Sequence, residues 1–178
     1  MALLKREWIA GEAHVFAVRM HDGQKRANGD DYVVHPERCA RRVRELGGSE
    51  EQVAAIYIHD VSEDCGVPFR VINYIFGAEV AKLVEELTNH EHSPNMCRAD
   101  RKMADRVRLV GVSREAKFLK LIDRIDNLKD IEDKSPEFAR LYRQESRLLL
   151  DNCLRGVHPE LEKELEALCQ DPRDSSST

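Results

Sequence analysis

Residues 49–64, SEEQVAAIYIHDVSED, decide how this chain folds. Ser49 followed three residues later by Gln52 is a capping-box pattern, in which the hydroxyl and the amide each satisfy a backbone N–H at the start of a helix. The run it opens, Val53 to Val61, is apolar nearly all round, which places that helix at the centre of the fold. The same segment carries His59, Asp60, Glu63 and Asp64. Burying ionisable groups costs several kcal/mol unless they are paired or bind a metal. Helical spacing puts Glu63 one turn after His59 and Asp64 one turn after Asp60, so a His-Asp pair and an acidic pair share one stripe. Taken alone, the segment also fits a partly exposed helix end with ordinary charges.

The flanking sequence continues the helical pattern. Apolar residues recur at three- and four-residue spacing, sustained alternation is missing, and there are only 9 Gly and 6 Pro, so the class is all-α with about eight to ten helices. A first helix is expected from about Leu4 to Met20, with Trp8, Ile9, Ala13, Phe16 and Ala17 on one face. The polar segment QKRANGDDY follows. A second helix should open at Pro36 and close at Gly47-Gly48. After a turn at Asp64-Cys65-Gly66, short helices are expected from Pro68 to Phe76 and from Ala78 to Thr88, then a loop, NHEHSPN. Further helices should cover Arg98–Val110, Ser113 to about Ile131, Pro136–Leu154 and Pro159–Cys169. The pattern gives a single domain over residues 1–170 and a disordered tail, DPRDSSST, over 171–178.

At 178 residues the chain holds one domain with a short remainder, large enough for a real core. Lys plus Arg is 28 against 33 Asp plus Glu, a net charge of -5, which argues against a general nucleic-acid surface while leaving room for local basic clusters. No stretch approaches the roughly 18 apolar residues of a membrane span. The N-terminal MALLKREWIAGEA is broken by charges, unlike a signal peptide. A soluble cytoplasmic protein is the expectation. The five cysteines are odd in number and lack a C-x-x-C pair, so packing roles are expected in place of a disulfide framework or thiolate zinc site.

Two further residues add to the His-Asp pair. In FLKLIDRIDNLKD, Leu119, Ile122, Ile125 and Leu128 mark the packed face, and Asp123 sits at its edge with Asn127 one turn beyond. Arg124 or a metal would satisfy that acid. His35, directly before Pro36, suits a helix cap, a surface position or a ligand. Together, two histidines and two aspartates form a nitrogen and oxygen set suited to Mn, Fe, Zn or Mg. Such an ion activates water and neutralises phosphate charge, the chemistry of metal-assisted hydrolysis. His90-x-His92 is better read as a solvated loop than as a second metal site.

The pattern AHVFAVRMHDGQKRANGDDYVVHPERCARRV, then AAIYIHDVSED, RADRK and KLIDRIDNLKD, resembles the HD-domain hydrolases of the RelA/SpoT group. The likeness is greatest to the free-standing small alarmone hydrolases and the metazoan SpoT homologue, and it covers about residues 8–155. The resemblance implies an all-helical HD fold that removes the 3′-pyrophosphate of ppGpp in the stringent response, usually with manganese. It implies His35, His59, Asp60 and Asp123 as metal ligands, and Glu63 and Asp64 as the acidic pair handling the attacking water. Substrate contacts would fall to Asn127, to Arg26 near the base, to Arg98 at the phosphates and to Arg143 as a second such contact. His21 belongs to the HxGQxR pattern without being a ligand. Ala27 replaces a common basic residue and Asp31 a common proline, and Asp130 stands where long members carry a small polar residue that helps recognise guanine.

The expected activity is therefore metal-dependent ppGpp 3′-pyrophosphohydrolysis, with Mn2+ or another divalent ion. The substrate is a small nucleotide and the oligomeric state is open. One alternative is an HD phosphatase for NADPH, an adenosine alarmone or a nucleoside monophosphate. Another is a catalytically silent module that binds an alarmone.

Overall fold

A computed structural model of the chain describes residues 8–89 and 93–170. Ten α-helices occur there: α1 (Ile9–Met20), α2 (Val34–Glu45), α3 (Glu50–Tyr57), α4 (Val61–Cys65), α5 (Phe69–Phe76), α6 (Ala78–Leu87), α7 (Arg98–Val110), α8 (Arg114–Lys129), α9 (Pro136–Leu149) and α10 (Pro159–Leu168). Among the described residues, extended pairing is limited to one bridge between Lys25 and Asp31. The all-α expectation holds. The chain sorts into two compact units, residues 1–88 and 89–178. Their boundary falls at the stretch NHEHSPN, in which His90 and His92 lie outside the described residues, as does the tail 171–178. None of the described helices is long and apolar enough to cross a membrane.

In the first unit α3 is central, with α1, α2 and α6 packed against it. Its start is the capping box read from sequence: the Ser49 side chain accepts from Gln52 N, and the Gln52 side chain accepts from Ser49 N. Val53, Ala54, Ala55, Ile56 and Ile58 are wholly buried, and each such isoleucine contributes roughly 1.5–3 kcal/mol. Ala10, Ala13 and Ala17 of α1 are equally buried, a stripe of small side chains that lets α1 lie close to α3. Trp8, expected on that face, is 79% exposed. It belongs to the opposite stripe, since residues 8, 12, 15 and 19 share one side of a helix while 9, 10, 13 and 17 share the other.

Two boundaries differ from the sequence reading. α2 starts at Val34, so His35 and Pro36 lie in its first turn. The central helix is not continuous to Asp64. It stops at Tyr57, passes through Ile58 (φ -112, ψ 15), and resumes as α4 at Val61. The Thr88 hydroxyl, which donates to the Val84 carbonyl at 2.8 Å, lies 3.4 Å from the His59 carbonyl at the break. Gly66 (φ 68) ends α4 in the left-handed conformation glycine favours.

In the second unit α8 supplies the core with Ala116, Leu119, Leu121, Ile122, Ile125 and Leu128, packed against α9 and α10. Ser113 and Ser135 cap α8 and α9 by accepting from Ala116 N and Phe138 N. The helix expected to run from 136 to 154 ends at Leu149 and continues as a single wide π turn, Leu150–Leu154.

Candidate active site

The break after α3 places the first candidates. His59 is 2% exposed, and its Nδ1 donates to the Ile56 carbonyl at 2.8 Å. A carbonyl only accepts, so the proton is on Nδ1 and Nε2 presents a lone pair. Nε2 lies 3.0 Å from Asp60 Oδ2. Two acceptors at that distance call for a cation or a proton, and the separation suits two neighbouring ligands each at about 2.1 Å from one ion. Asp60 Oδ2 also accepts the Tyr32 hydroxyl at 2.5 Å, which fixes the carboxylate.

His35, from the first turn of α2, is 1% exposed, and its ring centroid is 5.3 Å from that of His59. Its Nδ1 is 3.7 Å from Cys39 Sγ, one turn on along α2. The loop between α1 and α2 folds back through the Lys25–Asp31 bridge, a Tyr32 N to Gln24 O bond at 3.0 Å, and Gly29 at φ 91. His21 is 3% exposed and stacks on Tyr32 at 4.5 Å while bonding Gln24 Oε1 at 2.8 Å. That contact gives His21 the ordering role which its place in HxGQxR left open. The first unit thus brings His35, His59 and Asp60 together, with Arg26 half-buried in the loop.

Glu63 and Asp64 lie on α4, in its first turn and beyond the His59-Asp60 pair. Burial of the Asp64 carboxyl and the charge of Asp60 lift its pKa, opposed by the Tyr32 hydroxyl, His21 and His59. The pair is therefore not set by continuous helical spacing from His59, as the sequence suggested. The break at residues 58–60 turns it.

The second unit holds the remaining candidates. Asp123 is 4% exposed. Lys120 Nζ approaches its Oδ2 at 2.8 Å and Asn127 Nδ2 donates to Oδ1 at 2.7 Å. Lys120, and not Arg124, is its cationic neighbour, because three residues back along the helix points to the same side whereas an adjacent residue does not. Arg124 lies over the Tyr142 ring at 4.5 Å. Arg98 is gripped by Glu145 through two hydrogen bonds of 2.8 and 2.9 Å, and its guanidinium lies 5.4 Å from the Phe138 ring centroid. Arg143 is buried and ion-paired with Glu132. Tyr32, Lys120 and Glu145 are the participants that sequence reading passed over. Tyr32 opens YVVHP, three residues before His35, and Lys120 stands at a helical offset from Asp123, whereas nothing local marks Glu145.

Nitrogen and oxygen donors, buried imidazoles and a carboxylate aligned by a tyrosine fit a divalent ion. An all-helical chain with an adjacent His-Asp pair at such a site has the features of an HD domain. The family model described as HD domain matches residues 13–149, and the chain belongs to that family. Among curated relatives it is 33% identical over 130 residues to the Xenopus tropicalis guanosine-3′,5′-bis(diphosphate) 3′-pyrophosphohydrolase MESH1, covering 71% of each. It is 34% identical over 145 residues to a probable enzyme of the same name from Synechocystis, of which it spans 18% of the length, and it spans 19% of the Aquifex aeolicus relative. A solved structure described as a metazoan ortholog of SpoT that hydrolyzes ppGpp superposes with a TM-score of 0.82 at 25% identity, covering 99% of this chain and all of that one. The Listeria monocytogenes protein lmo0812 gives 0.63 at 27% identity over 79% of this chain and 96% of that one.

Proposed function

We propose that this chain is a metal-dependent phosphohydrolase that removes the 3′-pyrophosphate of guanosine 3′,5′-bis(diphosphate). The observation that carries the proposal is the 33% identity to a 3′-pyrophosphohydrolase over 71% of both chains. The oriented His59-Asp60 pair supports it.

His35, His59, Asp60 and Asp123 are the residues proposed to hold the ion, with manganese the expected metal. A divalent cation there lowers the pKa of water and offsets phosphate charge. The protein's own groups do the rest. Tyr32 orients Asp60, and Ile56 fixes the His59 tautomer. Glu63 and Asp64 take the proton of the attacking water and return one to the departing 3′-oxygen, so that water adds to phosphorus, the 3′-O–P bond breaks, and pyrophosphate and the 5′-diphosphate nucleoside leave. Arg26 stacks at the base and Asn127 contacts the substrate. Arg98 meets phosphate, exchanging the Glu145 carboxylate for a more highly charged anion. Arg143, buried and ion-paired with the exposed Glu132, is the second proposed phosphate contact. The odd cysteine count fits a reducing, cytoplasmic setting.

The test is a substrate panel with metal-loaded protein: ppGpp, its adenosine counterpart and NADPH. Preferred turnover of ppGpp supports the proposal. Preference for NADPH or the adenosine compound assigns a different substrate to the same site, and nucleotide binding without turnover indicates a silent module.

A further inference from the structure

Arg98 and Arg143 each have a carboxylate partner, Glu145 and Glu132. Arg124 of α8 does not. It is 9% exposed, and its Nε and Nη1 are buried with no hydrogen-bond partner among the described residues. Its guanidinium carbon lies 4.5 Å from the centroid of the Tyr142 ring. A cation over an aromatic face gains less than a buried charge loses when its hydrogen bonds go unmet, so the ring alone does not account for this arginine. A buried polar group without a partner calls for a missing water or ion.

Arg124 borders a small pocket walled by α7, α8 and α9, together with Lys102, Arg106, Arg108 and Lys120. Two acids share the wall, and both are engaged. Glu145 accepts both hydrogen bonds from Arg98, and Asp105 lies 3.5 Å from Lys102 Nζ. Five cations against two acids leave the wall positive, and a recess lined by one sign of charge concentrates the opposite ion. About 20 Å³ is open to the centres of oxygen-sized atoms, room for one tetrahedral oxyanion and too little for a nucleoside.

We propose that this pocket is an oxyanion site that takes one phosphoryl group, with Arg124 as its planar donor and Lys102 and Lys120 balancing the charge. The anion supplies the acceptors that the protein does not give Arg124. Inorganic phosphate and the phosphoryl end of a nucleotide lying outside the pocket share this chemistry. Lys120 also touches Asp123 Oδ2 at 2.8 Å, so the pocket adjoins the candidate active site, but it needs no metal there and stands apart from the proposed activity.

Titration calorimetry of the full chain, freed of divalent ions and phosphate, tests this with inorganic phosphate in one arm and guanosine 5′-monophosphate in the other. Saturable binding of phosphate is expected, with a rise in the thermal midpoint. Arg124→Met and Lys102→Ala should each weaken it by roughly tenfold or more, the worth of a hydrogen bond to a charged group. Arg114→Ala, at an exposed arginine of the same helix, should leave it unchanged. Circular dichroism verifies that each variant keeps its helices. Tighter binding of the monophosphate that is lost in Arg124→Met supports the site with a nucleotide as the source, and equal or weaker binding supports it with free phosphate. A chain that takes up neither anion, or binds them with an affinity indifferent to both Arg124→Met and Lys102→Ala, overturns the proposal and leaves the pocket to water.

Discussion

His59 Nε2 and Asp60 Oδ2 face each other at 3.0 Å while the opposite edge of the imidazole is tied to the Ile56 carbonyl. The backbone break between α3 and α4 makes this arrangement, and Tyr32 completes it by donating to the same carboxylate oxygen.

Tyr32→Phe removes that donor and leaves the ring stacked on His21. Divalent metal affinity should fall by roughly tenfold to a hundredfold, the usual worth of a partner that orients a ligand. Calorimetric titration with Mn2+ measures it, and unchanged affinity would assign the tyrosine to packing alone.

Glu63→Gln should preserve metal and nucleotide binding and lower kcat by roughly 10² to 10⁴, the range for a positioned proton-transfer group. Asp64→Asn should do the same, with the double variant far from additive because both groups serve one step. Single-turnover hydrolysis, with metal content verified, decides whether the pair belongs to the chemistry.

Asp64 also bears on stability. Burial and then the neighbouring Asp60 charge raise its pKa above the ordinary carboxylate value. The folded, metal-free protein therefore holds this proton more tightly than the unfolded chain. Stability is gained as pH falls through the folded pKa and lost as pH rises through it. Metal-free Asp64→Asn should be more stable than wild type at neutral pH, and the difference should shrink on acidification. Thermal midpoints of both proteins across that range give the result, and parallel curves would contradict it.

Arg98→Ala strips both hydrogen bonds from Glu145, whose side chain is 10% exposed. A nearly buried carboxylate left without them costs about 1–3 kcal/mol. The substitution should raise KM and lower the unfolding free energy together, while Glu145→Gln releases the guanidinium and lowers KM. Denaturant unfolding beside steady-state kinetics separates the two effects, and a KM indifferent to both changes would make the pair purely structural.

The cysteines differ in reactivity. Cys97 is exposed at the start of α7, whereas burial pushes the Cys169 thiol up to about 11 and raises those of Cys153 and Cys65. Cys97 should react first with a thiol reagent at neutral pH, with the other four far slower. Mass spectrometry of partly labelled protein reads the order.

How much was legible in the sequence depended on whether the signal was local. The Ser49–Gln52 capping box, the Gly66 stop and the boundaries of α5 to α7 follow from neighbouring residues, and the structure reproduces them. The break at Ile58 is hidden because IYIHDV reads as the apolar continuation of a helix, and the Thr88 hydroxyl that lies against the His59 carbonyl there is distant in sequence. Trp8 was assigned to the packed face because large apolar residues are usually buried, although its helical phase put it opposite Ala13 and Ala17. Cys97 was expected to pack, yet its sulfur accepts from Asp100 N at the start of α7. The site residues were named by motif, but the partners that orient them, Ile56, Tyr32 and Lys120, emerge only from backbone geometry.

Phosphorus NMR of the products formed from guanosine 3′,5′-bis(diphosphate) by the manganese-loaded protein, recorded after a chelator has removed the paramagnetic ion, tests the central claim most directly. The account predicts that the 3′-diphosphate signals give way to a single pyrophosphate resonance while the 5′-diphosphate pair persists, and that chelation of the metal stops the change. Release of orthophosphate, loss of the 5′-diphosphate, or no turnover by fully metal-loaded protein would contradict it.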